Sequence, residues 1–189
     1  MLGESQVFFV EYWSLTPNGF ICGDGLFRVI MSCEVMNMQR VANCVLTYKD
    51  HVLLLQKPSR NWMVAPGGKM EYGETPLNTV RREFREETGI QLLNPVLRAV
   101  STIVIKERYT TVSEWMLFSF YADGHKGQAL ECSPEGKLFW KKRAEVRSQP
   151  MAAGDRDLFQ HLLENKGMLF STFYYTPDFE LLDAKLETV

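Results

Sequence analysis

Along the chain the spacing of apolar residues changes repeatedly, and each change marks an element. Between Arg40 and Tyr48, Val41, Cys44, Val45 and Leu46 interleave with polar residues, which predicts a strand. A turn at Asp50 leads to Val52–Gln56, an apolar run that predicts a buried strand. The loop from Pro58 to Pro66 follows, and Trp62, Met63 and Val64 return toward the sheet. Leu77, Val80 and Phe84 then fall three and four apart, the stripe of a helix seated on a sheet. Thr75 suits its N-cap, Pro76 its first position and Gly89 its stop. Pro95–Lys106 and Val112–Ala122 are rich in β-branched and aromatic residues and predict two strands around the polar turn Glu107–Thr111. Asp123–Pro134, with Gly124 and Gly127, reads as a loop, and Lys137–Lys141 as a short strand. Arg143–Arg147 fits a short helical turn. Leu158, Phe159, Leu162 and Leu163 give Asp155–Asn165 a helical stripe that ends at Lys166-Gly167. Met168–Tyr175 and Glu180–Leu186 predict a closing hairpin around Thr176-Pro177-Asp178.

Residues 1–37 carry aromatic pieces but hold neither period, and Asn18-Gly19 and Gly23-Asp24-Gly25 interrupt them. Two readings stand for this N-terminal extension. It is a native segment that packs on the domain or joins a homodimer contact, or the true initiator is Met36 or Met38. On the second reading, a chain beginning at Met38 keeps full solubility and activity.

Composition narrows the class. At 189 residues and 46% hydrophobic, the chain can bury one sizeable core. A formal net charge of −2 offers no electrostatic footprint for duplex DNA. It leaves room for a short RNA 5′ end held through a metal-bound phosphate. Cys22, Cys33, Cys44 and Cys132 show no CxxC spacing, so reduced thiols and a cytoplasmic location are expected. His51, His125 and His161 are too scattered for a zinc pattern, and no apolar run approaches a membrane span.

The chemistry gathers in GKMEYGETPLNTVRREFREETGI, residues 68–90. Glu83, Glu86 and Glu87 are three and four apart, so they share one helical face. Like charges so placed repel unless a hard cation lies among them, and Mg²⁺ favours oxygen ligands. Taken alone, REFREE also fits a solvated face with an Arg82–Glu86 pair. The wider stretch decides between the two. Gly68, Glu74, Arg82, Glu83, Phe84, Glu86, Glu87, Gly89 and Ile90 fill every fixed position of the Nudix signature. The chain therefore resembles the Nudix hydrolase family, and most of all its MutT-type nucleoside triphosphate pyrophosphohydrolases.

That resemblance implies an α/β fold for residues 38–189, an α/β/α sandwich with a central mixed sheet. It implies Mg²⁺-dependent attack of water within a nucleotide's phosphate chain, with Mn²⁺ able to substitute. By position, Glu86 and Glu87 would ligate metal, and Glu83 would ligate it or take the proton of the attacking water. The carbonyl of Gly67 would complete the shell, because glycine lets the backbone come close. Lys69 would face a phosphate, while Glu74 and Arg82 would brace loop against helix. In the oxidised-purine triphosphatases a further metal-proximal Glu stands five residues before a Trp, and Glu135 has that spacing from Trp140. A loop carboxylate in water is the alternative. Trp62 is core packing or a ring that stacks on a nucleobase.

Substrate choice lies outside the signature, and there the likeness thins. Where the oxidised-purine enzymes hold the base with a Trp and two Asp residues, this chain has Ala152, Gly154 and Asp155. An Asn just upstream of the signature is replaced by Val64. Asp155 either contacts a base or caps a helix. Nucleoside triphosphates or modified forms of them are the expected substrates. Triphosphorylated RNA 5′ ends, and a non-catalytic nucleotide-binding regulator, are the alternatives.

Overall fold

The structure, a computed structural model, describes residues 38–130, 133 and 135–189. Both readings of residues 1–37 concern residues outside that set. The strands are β1 (Gln39–Tyr48), β2 (His51–Lys57), β3 (Trp62–Val64), β4 (Gly67–Lys69), β5 (Gln91–Leu93), β6 (Val96–Glu107), β7 (Thr110–Ala122), β8 (Gly124–Lys126), β9 (Lys137–Lys142), β10 (Leu169–Tyr175) and β11 (Leu181–Thr188). Helix α1 spans Pro76–Thr88, α2 spans Ala153–Glu164, and a 3₁₀ turn occupies Arg143–Ser148.

Nine of these strands form one mixed sheet in the order β11-β10-β6-β7-β1-β2-β3, with β4 also on β1 and β9 on β2. The β1–β7 and β10–β6 seams are parallel and the remaining pairings antiparallel. Alternation along β1 divides the core. Ala42, Cys44 and Leu46 pack with Val80 and Phe84 of α1 on one face, while Val45 joins Leu158, Phe159 and Leu162 of α2 on the other. The sheet is thus covered by a helix on each side, the expected α/β/α sandwich.

Two readings change at the level of elements. The stretch 123–134 contains β8, which pairs with β5 at Gln91↔Lys126 and Leu93↔Gly124. Three-residue strands are too short for a period-2 pattern, so their pairing leaves no trace in sequence. Helix α2 begins at Ala153, and its N-cap is Ala152, with no side-chain capping bond. Asp155 therefore lies inside the first turn and is not the cap. Among the described residues no helix is long and apolar enough to cross a membrane.

Candidate active site

The site is built where β4 meets the start of α1. Thr75 caps the helix by accepting the Asn78 N–H (3.2 Å), and Pro76 supplies a first residue with no amide to satisfy. Gly89 ends it in the left-handed region (φ 74°), its N–H on the Arg85 carbonyl at 2.8 Å. Upstream, β4 lies antiparallel to β1, with Gly67 opposite Asn43 and Gly68 opposite Ala42. A Cβ on Gly67 would strike the Ala42 carbonyl and the Asn43 backbone, and one on Gly68 would strike the Glu83 carboxylate. Two glycines are needed because this strand is pressed between β1 and the acids of α1.

Arg82 organises one half of the acids. Its Nε and Nη2 donate to the two oxygens of Glu74 (2.7 and 2.8 Å), and Nη2 also reaches the Lys69 carbonyl at 3.1 Å. Its Nη1 donates to Glu83 (2.8 Å) and to the exposed Glu86 (3.3 Å). Glu74 accepts further from Thr79 Oγ1 (2.8 Å) and the Glu71 N–H (3.0 Å). The Arg82 hydrogen bonds, then that of Glu71, hold the Glu74 carboxyl down at about 2.

Glu87 stands apart, buried with 4% of its surface exposed. Its Oε2 accepts the Gly67 N–H at 2.7 Å, and its Oε1 accepts Lys57 Nζ at 3.3 Å. The same Nζ donates to Glu135 at 2.9 Å, so one ammonium bridges two carboxylates. The two acids move oppositely: burial raises the Glu87 pKa in spite of Lys57, while the Lys57 hydrogen bond lowers that of the exposed Glu135. Burial draws the Lys57 ammonium toward neutrality, but Glu135 and Glu87 together outweigh it and raise its pKa. Lys57 was not singled out by sequence reasoning, since one lysine ending an apolar strand is an ordinary strand terminus.

Trp62 is the register partner of Lys57 across the β2–β3 hairpin. Its ring meets Phe179 edge-on (centroids 5.9 Å), Phe179 lies 6.3 Å from Trp115, and the Arg60 guanidinium sits over Trp62 and Phe179 at 5.2 and 4.8 Å. Phe179 and Arg60 carry no motif and emerge only from the fold. Lys69 is exposed beside the glycines. Asp155 lies on α2, and burial pushes its carboxyl up to about 6. Gly154 donates its N–H to the Tyr175 hydroxyl at 2.9 Å, and a side chain there would strike that hydroxyl and the Phe173 ring. An aspartate therefore has no room at 154.

Among the described residues no three acidic, histidine or cysteine side chains are gathered tightly enough to ligate one ion as they stand. Arg82 and Lys57 hold the acids in two groups. In kind the donors suit a hard divalent cation: carboxylates and a backbone carbonyl around two glycines, with no thiolate or imidazole among them.

The family model described as the NUDIX domain matches residues 37–162. The chain belongs to the Nudix hydrolase family. It is 51% identical over 150 residues to YvcI, an uncharacterised Nudix hydrolase of Bacillus subtilis, covering 79% of this chain and 95% of that one. A crystal structure of a mutator MutT protein from Bacillus halodurans superposes with a TM-score of 0.78 at 56% identity, covering 79% and 98% of the two chains. A CTP pyrophosphohydrolase of Escherichia coli is 29% identical over 133 residues, covering 66% of this chain and 91% of that protein. Like its family, this Nudix hydrolase acts on diphosphate linkages of nucleotides.

Proposed function

We propose that this Nudix hydrolase is a Mg²⁺-dependent, cytoplasmic pyrophosphohydrolase of nucleoside triphosphates or their modified forms, releasing a nucleoside monophosphate and pyrophosphate. The observation that carries the reading is the Gly67–Gly68 strand, bonded through Gly67 to buried Glu87 and pressed against Glu83. Glu86, Glu87 and Glu135, with the Gly67 carbonyl, are the groups to hold metal. When bound, Mg²⁺ neutralises phosphate charge and makes a water more acidic. Glu83 is the group to ligate or to accept the proton of the attacking water, and its place against Gly68 fixes it near the backbone that meets the phosphates. Lys69 faces a phosphate. Trp62, with Arg60 and Phe179 beside it, offers a nucleobase an aromatic face at the register position opposite Lys57.

The filled space at Gly154 and the apolar Val64 argue for a nucleotide substrate other than one dedicated 8-oxo-purine. The test is a panel of nucleoside triphosphates, oxidised forms, nucleotide sugars and triphosphorylated RNA, with products resolved by chromatography. Monophosphate plus pyrophosphate from triphosphates, abolished by chelator, is expected. Inorganic phosphate as sole first product, undiminished turnover in excess chelator, or binding without any hydrolysis would overturn the reading.

A further inference from the structure

Two cations inside the site hold its acids, and they are held very differently themselves. Arg82 is fastened to Glu74 through two hydrogen bonds and to the Lys69 carbonyl by a third. Lys57 has, among the described residues, no side-chain partner except Glu87 and Glu135. Its side chain is 31% exposed, so it has a way out to solvent.

Glu135 in turn stands between two residues that bond each other. The Ser133 and Gly136 backbones bond each other (3.1 and 3.3 Å), the Glu135 N–H meets Ser133 Oγ at 3.2 Å, and Gly136 lies tight against the Gln56 carbonyl. Among the described residues, the Glu135 carboxylate has only Lys57 as a partner. The ammonium is thus what draws a carboxylate 56% exposed toward one 6% exposed.

We propose that Lys57 is an internal counter-ion that positions Glu135 beside Glu87 and leaves when a divalent cation enters, so that this lysine sets how tightly the site binds metal. The inference rests on the reading of Glu87 and Glu135 as metal-holding groups given above. Geometry supports exchange over joint occupancy. Both Glu87 oxygens are taken, Oε2 by the Gly67 N–H and Oε1 by Lys57 Nζ, and Glu135 Oε2 lies on the same Nζ. A cation that takes Glu87 Oε1 meets the ammonium already there, and beside a buried carboxylate two like charges at contact distance are poorly screened by water. The cation must therefore break both Lys57 ion pairs before it binds, and the strength of those pairs is subtracted from its affinity.

The experiment measures Mn²⁺ binding to the full chain, freed of metal, by isothermal titration calorimetry at pH 8. Lys57→Met and Lys57→Gln are expected to bind Mn²⁺ about fivefold or more tightly than the wild-type chain, because no ion pair has to be broken. Equal or weaker binding in both variants overturns the role of Lys57, and a saturable site in the wild type would then leave the metal-site reading standing. Absence of saturable binding in the wild type overturns both. A second measurement needs no variant: reductive dimethylation of Lys57, followed by peptide mass spectrometry. The rate is expected to rise on saturation with Mn²⁺, and a rate unchanged by Mn²⁺ overturns the exchange even if the variants do not fold.

Discussion

At Glu87 burial and charge oppose one another. The carboxylate is nearly out of water, whereas the metal-holding role proposed for it needs it ionised, and the Gly67 amide and Lys57 supply the compensation at hand. Glu87→Gln keeps the shape and removes the charge. The expected result is a fall in kcat at saturating Mg²⁺ on the order of a hundredfold, ~2.7 kcal/mol of barrier, with melting in metal-free buffer little changed. Near-native kcat would remove Glu87 from the metal-holding set. Asp155 shows a similar opposition: it lies in the first turn of α2, where the helix end favours a negative charge, yet burial raises its carboxyl from 3.8 to about 6. A raised acid favours folding while it is neutral: that contribution is complete below pH 3.8 and is lost as pH climbs through about 6. Asp155→Asn should therefore raise the stability at pH 8 by about 1–3 kcal/mol, at ~1.4 kcal/mol per pH unit and allowing for the carboxyl's partial contact with water, and should change little at pH 4. Urea melts at the two pH values check this, and a variant equally or less stable at pH 8 would contradict it.

Between elements, the strongest tie in the site is the fork of Arg82 on Glu74, which fastens the loop ahead of α1 to the helix. Glu74→Gln is expected to lower the melting temperature at pH 7 and to reduce kcat less than Glu87→Gln does. The Glu74 carboxyl is held at about 2, so its stabilising effect is present above pH 4.5 and is lost as pH falls through 2. The gap in melting temperature between wild type and Glu74→Gln should close over that interval, and a gap that persists at pH 2 would refute the assignment. Helix α1 was legible in sequence because every signal agreed: Thr75, Pro76, Gly89 and the stripe of Val80 and Phe84. The long strands were legible for the same reason. The β5–β8 ladder was not, because three residues of backbone pairing impose no side-chain rule. Nor was the splitting of the acids between Arg82 and Lys57. Glu83 and Glu86 meet Arg82 of their own helix, and the Arg82–Glu86 pair is one that helical spacing offers, but Glu87 meets Lys57 at the end of β2, far away in sequence.

For the molecule as a whole, a ligand that binds only the folded state adds to its stability. With Mg²⁺ at a hundred times its dissociation constant the gain is ~2.7 kcal/mol, which for a domain of this size raises the melting temperature by roughly 5–10 °C. Scans with Mg²⁺ and with chelator measure it, and coincident curves would deny a metal site in the folded chain. The parallel seam between β1 and β7, running from Gln39↔Trp115 to Leu46↔Ala122, has a consequence for synthesis. A ribosome releases β1, β2, β4 and α1 long before β7, so the glycine strand and the α1 acids emerge on a sheet whose principal strand has a bare edge. Glu135 follows only after that edge is sealed. The outer edge of β6 then waits for β10, which is made well after it. Until β10 arrives the growing chain therefore carries an unpaired strand edge open to neighbouring nascent chains, and the pace at which the stretch from β7 to β10 is made governs how much of it escapes aggregation.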